Sequence, residues 1–135
     1  MSLSRIEQIE RERATTINRQ RAAVLVVDDE PALLELFEAV LADAFNIYLA
    51  SSAESALQIL ATRHVDCVIS DYTMPGMNGG ELIRAINQHY PRVRTILHSA
   101  SAPEEDAIPC DLRVPKPTSL EEIAELVSQL LQRAA

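Results

Sequence analysis

Tryptophan is absent from this chain of 135 residues, and aromatic residues make up only 4% of it. A core without many rings has to be built from Leu, Ile, Val and Ala. No apolar run approaches the roughly 18–20 residues of a membrane-spanning helix. The first 20 residues are polar and carry both charge signs, unlike a secretory signal. The two cysteines, Cys67 and Cys110, lack metal-site spacing. Cys67 lies in an apolar run as a small core residue, so a reducing cytoplasm without a disulfide is expected. Basic residues are scarce past the leader. Residues 1–23 hold five Arg against three Glu, a net +2, while the remainder holds seven basic against seventeen acidic residues, a net −10. So acidic a body is a poor nucleic-acid binder. Its acids suggest a cation site instead.

What is present fits one globular domain. The chain is 47% hydrophobic and 24% charged, and its length suits a single core. Residues 1–21 read as a leader or linker, with a weak helical spacing of Ile6, Ile9 and Ile17. Residues 22–133 read as the folded unit. The leader and the last helix are the segments through which a homodimer would form. No effector domain follows Ala135, so a stand-alone unit, a fragment and a piece cut from a longer chain are all open.

Strands and helices alternate along the unit. "AAVLVV" (22–27) is a continuous apolar run, which predicts a strand buried on both faces. Pro31 suits a first helical turn, and Leu33, Leu34, Phe37, Val40 and Leu41 follow at helical spacing. "FNIYLA" (45–50) is a second strand. Ser51 and Glu54 predict a capping box ahead of Ala53, Ala56, Leu57 and Leu60. "VDCVIS" (65–70) is a third strand. Gly79 and Gly80 precede a helix with Leu82, Ile83 and Ile86 inward. "VRTILHS" (93–99) and the weaker "DLRV" (111–114) are strands four and five. Thr118 and Glu121 predict a second capping box before Ile123, Val127, Leu130 and Leu131. Such alternation predicts an α/β sheet, mostly or wholly parallel, with right-handed crossovers and a ligand site beyond the C-terminal strand ends.

The acids fall at that edge. Asp28 and Asp29 follow strand one, and Asp71 follows strand three. If those strands are neighbours, three like charges converge and need compensation. A hard divalent cation with oxygen ligands is the simplest agent, and Mg²⁺ suits it. Acids near a helix N-terminus can also serve only as caps; Asp71 argues for more. Ser99 ends strand four and Lys116 ends strand five. A carboxylate attacking phosphorus needs a cation, a hydroxyl and an ammonium around the developing charge. Ala100 leaves the approach open.

These pieces resemble the receiver domain of two-component response regulators: "VLVVDDEP" (24–31), "VISDYTMPGMNGGEL" (68–82), "ILHSA" (96–100) and "VPKP" (114–117), in family order, over about residues 22–133. The resemblance implies a flavodoxin-like, doubly wound five-stranded parallel sheet of order 2-1-3-4-5. It implies Asp71 as phosphoacceptor, Asp29 as direct Mg²⁺ ligand, Asp28 as an acid acting through water and the Thr73 carbonyl as a further ligand. Ser99 and Lys116 would contact the phosphoryl group. The donor would be a phosphohistidine on a sensor histidine kinase or phosphotransfer protein, and an unidentified output partner would read the switch. The "MPG" turn would aim a carbonyl at the cation, and Gly79 and Gly80 would let the backbone pass close.

The chain departs from the family in three places. Only sixteen residues separate Ser99 from Lys116, and Pro103 and Pro109 bracket "EEDAI", so the fourth helix is predicted to be short or degenerate. Arg113 stands where the family commonly has a Tyr or Phe that swings inward, and it is expected to pack outward against an acidic group or a partner. Pro115 suits an edge strand, and the family often has the Lys116–Pro117 bond cis. Of the other residues, His64 and His89 are expected solvated, His98 partly buried and satisfied, Tyr72 flanking the site, and Met74 and Met77 in the turn or on a small contact surface. Two other readings stay open: a receiver-like interaction module that no longer switches, and a haloacid-dehalogenase-like phosphatase, suggested by "DYT", although its nucleophile should follow the first strand.

Overall fold

The computed structural model describes residues 20–100 and 108–133. Within them β1 (Ala23–Val27), β2 (Asn46–Ala50), β3 (Cys67–Ser70), β4 (Arg94–Ser99) and β5 (Leu112–Pro115) form one parallel sheet. Its order is β2-β1-β3-β4-β5. The helices are α1 (Pro31–Leu41), α2 (Ala53–Thr62), α3 (Gly79–His89) and α4 (Leu120–Arg133). This is the flavodoxin-like doubly wound arrangement, in which strand order reverses between β1 and β3.

The continuous apolar run of β1 follows from its central place. Val24 and Val26 join a cluster with Phe37, Leu41, Ile69, Ile96, Ile123 and Val127. Leu25 and Val27 face the opposite side, against Ala53, Ala56, Leu60, Val68, Leu82 and Ile86. Each such buried Val, Leu, Ile or Phe side chain contributes about 1.5–3 kcal/mol relative to exposure. Small residues on α2, Ala53 and Ala56, bring that helix close. Pro115 costs little because β5 pairs only with β4.

Several boundaries differ from the sequence reading, and side-chain bonds explain why. β3 begins at Cys67 because Asp66 turns aside, its Oδ2 accepting from the Ala23 amide at 2.8 Å. The α2 cap is Ser52, not Ser51: its Oγ accepts from the Ser55 amide at 3.1 Å, while Glu54 reaches the Met77 amide instead. The α4 cap bond comes from Ser119, whose Oγ accepts from the Glu122 amide at 3.1 Å, while the Thr118 hydroxyl turns back to the Pro115 carbonyl. A full capping box does occur, at Asn78 and Glu81 opening α3. Met74 is buried in the core on the α2–α3 face rather than serving as a surface contact. Residues 1–19 of the leader, and residues 104–107 of the "EEDAI" stretch where the short fourth helix is expected, lie outside the described residues. What is described of that connection, Ile108 to Asp111, has no helical turn.

Candidate functional site

Parallel register brings the acids together. Val27 pairs with Ser70, so the residues that follow them, Asp28 and Asp71, leave the sheet side by side. Both amides stay tied to the sheet: Asp28 N–H donates to the Ala50 carbonyl at 3.1 Å, and Asp71 N–H to the Val27 carbonyl at 3.0 Å. Asp28, Asp29 and Asp71 each offer a carboxylate oxygen, and these lie within 4.8 Å of one another. Asp28 is buried at 2% exposure, Asp71 half-buried and Asp29 exposed.

Lys116 reaches this cluster from the far side of β4. Its amide donates to the Ser99 carbonyl at 3.1 Å, and its peptide bond to Pro117 is cis. The ammonium lies 3.2 Å from Asp28 Oδ2 and 3.6 Å from Asp71 Oδ2. The other oxygen of each acid is held by a backbone amide. Asp28 Oδ1 accepts from Glu30 N–H at 2.9 Å, and Asp71 Oδ1 accepts from Tyr72 N–H at 2.8 Å. Asp28 therefore does shape the entry to α1 as a turn residue, but its second oxygen belongs to the acidic site. Ser99, half-buried, ends β4, the strand between those that deliver Asp71 and Lys116; Thr73 is exposed two residues beyond Asp71. The structure thus brings Asp28, Asp29, Asp71, Ser99 and Lys116 to one edge, with Thr73 in the adjoining loop.

Burial raises the pKa of the Asp71 carboxyl above its ordinary value; the Lys116 ammonium works against this and the Asp28 carboxylate adds to it. Three carboxylates and one ammonium leave excess negative charge among hard oxygen donors. That donor set fits a magnesium ion.

The loop after Asp71 is shaped by the chain's three glycines. Gly76 takes φ +79°, a conformation that favours glycine. Gly79 lies so close to Asp71 that a Cβ there would fall 2.1 Å from the Asp71 carbonyl oxygen. Its amide donates to the Tyr72 carbonyl at 2.8 Å, which fixes the strand-to-helix passage.

Two residues depart from expectation. His98 is buried at 4% exposure, edge-on to Phe37 with ring centroids 5.6 Å apart, and its Nε2 has no hydrogen-bond partner among the described residues. It is not the satisfied histidine expected. Burial pulls its pKa down to about 4, helped by the Lys116 charge and opposed by Asp28, so the ring is neutral at pH 7. Arg113 meets no acid among the described residues. Its Nη2 donates to the Ile108 carbonyl at 3.1 Å, and its Nη1 is buried without a partner among those residues. In the β4–β5 register Arg113 pairs with Leu97.

The sequence reading also missed a surface. Leu36 on α1 is 55% exposed. With Leu33, His98, Lys116, Pro117 and Leu120 it borders a hollow of about 320 Å³ beside the acidic site. The outward leucine in an otherwise acidic helix face was the available signal. Among the described residues, no helix is long and apolar enough to cross a membrane.

Comparison with known proteins agrees with this geometry. A family model described as "Response regulator receiver domain" matches residues 24–128. The sensor kinase CckA of Brucella abortus is 30% identical over 129 residues, covering 90% of this chain but 14% of that protein. The regulatory protein AtoC of Escherichia coli is 33% identical over 125 residues, covering 87% and 26%. The probable transcriptional regulatory protein TcrX of Mycobacterium tuberculosis is 32% identical over 120 residues, covering 84% and 51%. The chain thus spans at most about half of these relatives. Among solved structures, the signal receiver domain of an HD domain-containing protein from Pseudomonas fluorescens superposes with TM-score 0.78 at 29% identity, covering 85% of this chain and 98% of that one. The response regulator TrrA of Thermotoga maritima, solved in complex with Mg²⁺ and BeF, gives 0.72 at 31% identity, covering 81% and 98%.

Proposed function

Because the chain belongs to the response regulator receiver family, a family of signalling modules in two-component systems, we propose that it accepts a phosphoryl group on Asp71 with Mg²⁺ and thereby switches its affinity for a partner. The observation that carries this reading is the ammonium of Lys116, at 3.2 Å from Asp28 and 3.6 Å from Asp71, two of the three carboxylates clustered at the C-terminal sheet edge.

Asp28, Asp29, Asp71 and the Thr73 carbonyl would hold the ion, with Asp29 the direct carboxylate ligand beside Asp71 and Asp28 acting through water. When bound, magnesium supplies positive charge that offsets the negative charge of the incoming phosphoryl oxygens. The chain's own residues do the rest. Tyr72 N–H fixes Asp71 Oδ1, which leaves Oδ2 as the attacking oxygen. That oxygen forms a bond to phosphorus as the phosphorus–nitrogen bond of a donor phosphohistidine breaks, and the imidazole leaves with the electron pair. Lys116 and the Ser99 hydroxyl hold phosphoryl oxygens that carry the transferred charge. Water attack on phosphorus returns the Asp71 carboxylate and inorganic phosphate, which ends the signal.

The donor is a sensor histidine kinase or a phosphotransfer protein, in the cytoplasm, and residues 22–133 form the switching unit. The exposed Leu36 and the hollow beside Lys116 offer that donor an apolar foothold next to the phosphoacceptor. The phosphatase reading lapses with family membership, and Asp71 follows β3 rather than β1. The silent-module reading keeps one argument, the absence of an inward aromatic at position 113. Mass spectrometry after incubation with a small acyl phosphate and Mg²⁺ tests the proposal. A gain of one phosphoryl group, lost in Asp71→Asn, is expected; an unchanged mass would favour the silent module.

A further inference from the structure

Arg113 presents a puzzle that the acidic site does not explain. Its guanidinium is turned into the protein, meets one carbonyl, and leaves Nη1 buried without a partner among the described residues. Burying a guanidinium nitrogen without a hydrogen-bond partner costs free energy. The carbonyl it meets belongs to Ile108, in the connection between β4 and β5.

Ile108 is the keystone of a small third core. It is 5% exposed and packs with Ile83 and Leu97, and Tyr72 and Cys110 lie against the same cluster. A methyl group placed on Gly80 would lie 3.4 Å from both Ile108 Cγ1 and Tyr72 Cε2. The isoleucine and the tyrosine ring therefore share one spot over the first turn of α3. A second tie holds the segment there: Asn87 Nδ2 donates to the Pro109 carbonyl at 2.9 Å. Tyr72 is fixed at its backbone as well, its N–H on Asp71 Oδ1 at 2.8 Å and its carbonyl accepting from Gly79 at 2.8 Å.

We infer that Arg113 is a positioning residue for the Asp71 carboxylate, acting through Ile108 and Tyr72. The guanidinium holds Ile108 down on α3. Ile108 walls the Tyr72 ring, and the seated ring keeps the Tyr72 amide aimed at Asp71 Oδ1. With that oxygen held, Oδ2 is presented to Lys116. Small displacements of a reacting group cost rate steeply, so a side chain that never touches Asp71 still sets its reactivity. The inference rests on Asp71 as phosphoacceptor.

The experiment follows phosphoryl uptake from a small acyl phosphate with Mg²⁺ by the whole chain, together with amide exchange of Tyr72. Arg113→Met is expected to slow uptake about tenfold, to speed exchange of the Tyr72 amide, and to leave the Ile69 and Ile96 amides unchanged. Arg113→Gln keeps a donor for the Ile108 carbonyl and restores the rate. Tyr72→Ala slows uptake as much, and the Arg113→Met/Tyr72→Ala pair is no slower than either alone. Should Arg113→Met not fold, Ile108→Ala carries the same expectation with the guanidinium intact. If wild type is labelled, Asp71→Asn is not, and Arg113→Met keeps pace with wild type, the inference is overturned and the phosphoacceptor reading stands. If wild type itself takes up no phosphoryl group, both are overturned.

Discussion

Lys116 Nζ stands 3.2 Å from Asp28 Oδ2, with the lysine side chain 25% exposed and the aspartate 2%. The pair is asymmetric: the acid is fully inside and the base reaches in from the surface. Removing the ammonium strands a buried carboxylate beside Asp71. Breaking a fully buried pair costs about 3–5 kcal/mol, and partial exposure of the lysine lowers this to about 2 kcal/mol. Lys116→Met is therefore expected to melt earlier in chelator, and added Mg²⁺ should recover more stability in the variant than in wild type. Equal magnesium responses in the two proteins would show that ammonium and ion do not share the same acids.

Metal removal gives a second test. An ion bound only by the folded state stabilises it by about 1.4 kcal/mol at ten times its dissociation constant, a rise of roughly 5 °C in Tm for a domain of this size. Wild type should show this shift with Mg²⁺, reversed by chelator. Asp71→Asn should lose most of it, yet melt above wild type in chelator at pH 7, because one of three crowded charges is gone and burial already disfavours that carboxylate. Calorimetry that finds Asp71→Asn less stable than wild type without metal would contradict the repulsion.

The sheet and its acidic edge are legible in the sequence because both depend on local signals. Five apolar residues in β1 have to be buried on two faces, and a parallel sheet does that. The carboxylates follow the strands by one residue, so register alone brings Asp28 and Asp71 together. What is not legible depends on where distant groups arrive. Glu54 makes Ser51 look like a cap, but its carboxylate is drawn to the Met77 amide across the site loop. Arg113 is polar and therefore reads as outward; its partner is the main chain of Ile108, whose placement no periodicity reveals. His98 reads as satisfied because buried polar groups usually are, yet a neutral ring edge-on to Phe37 is accommodated with no bond at Nε2 to any described residue.

That histidine makes stability depend on pH in a defined sense. Its folded pKa is about 4, below the 6.5 of an exposed imidazole. Between these values the unfolded chain binds the extra proton, so stability rises with pH across the window and is fully present above 6.5. The loss on acidification through about pH 4 is at most about 3 kcal/mol. His98→Leu should remove this component: as pH falls from 7 toward 4, wild type loses stability relative to the variant. Parallel curves by denaturant titration at pH 4.5, 5.5 and 7 would mean that the ring is not buried neutral.

Adjacent glycines should respond unequally to the same change. A Cβ at Gly79 would lie 2.1 Å from the Asp71 carbonyl oxygen and 2.9 Å from Tyr72 Cα, both backbone atoms. Gly79→Ala must displace the loop that carries Asp71, at a cost of about 3 kcal/mol, and phosphoryl uptake should fall with it. At Gly80 the nearest atoms are side-chain atoms at 3.3–3.4 Å, and alanine gains about 1 kcal/mol of helix propensity. Gly80→Ala should therefore stay within about 1 kcal/mol of wild type. Similar losses in both would place the constraint in the helix rather than at Asp71.

Leu36 separates docking from chemistry. It is 55% exposed on α1 and stands apart from the acids, yet it borders the hollow that Lys116 lines. A protein donor must cover this surface to bring a phosphohistidine to Asp71, whereas a small acyl phosphate need not. Leu36→Glu should change stability by less than about 0.5 kcal/mol, as exposed substitutions usually do. It should leave uptake from the small donor unchanged and slow transfer from a histidine kinase by about tenfold, since an apolar anchor buried on docking is worth about 1–2 kcal/mol. Undiminished transfer from the protein donor would mean that the donor approaches Asp71 over another face, and the helix α3 side of the loop would be the place to look.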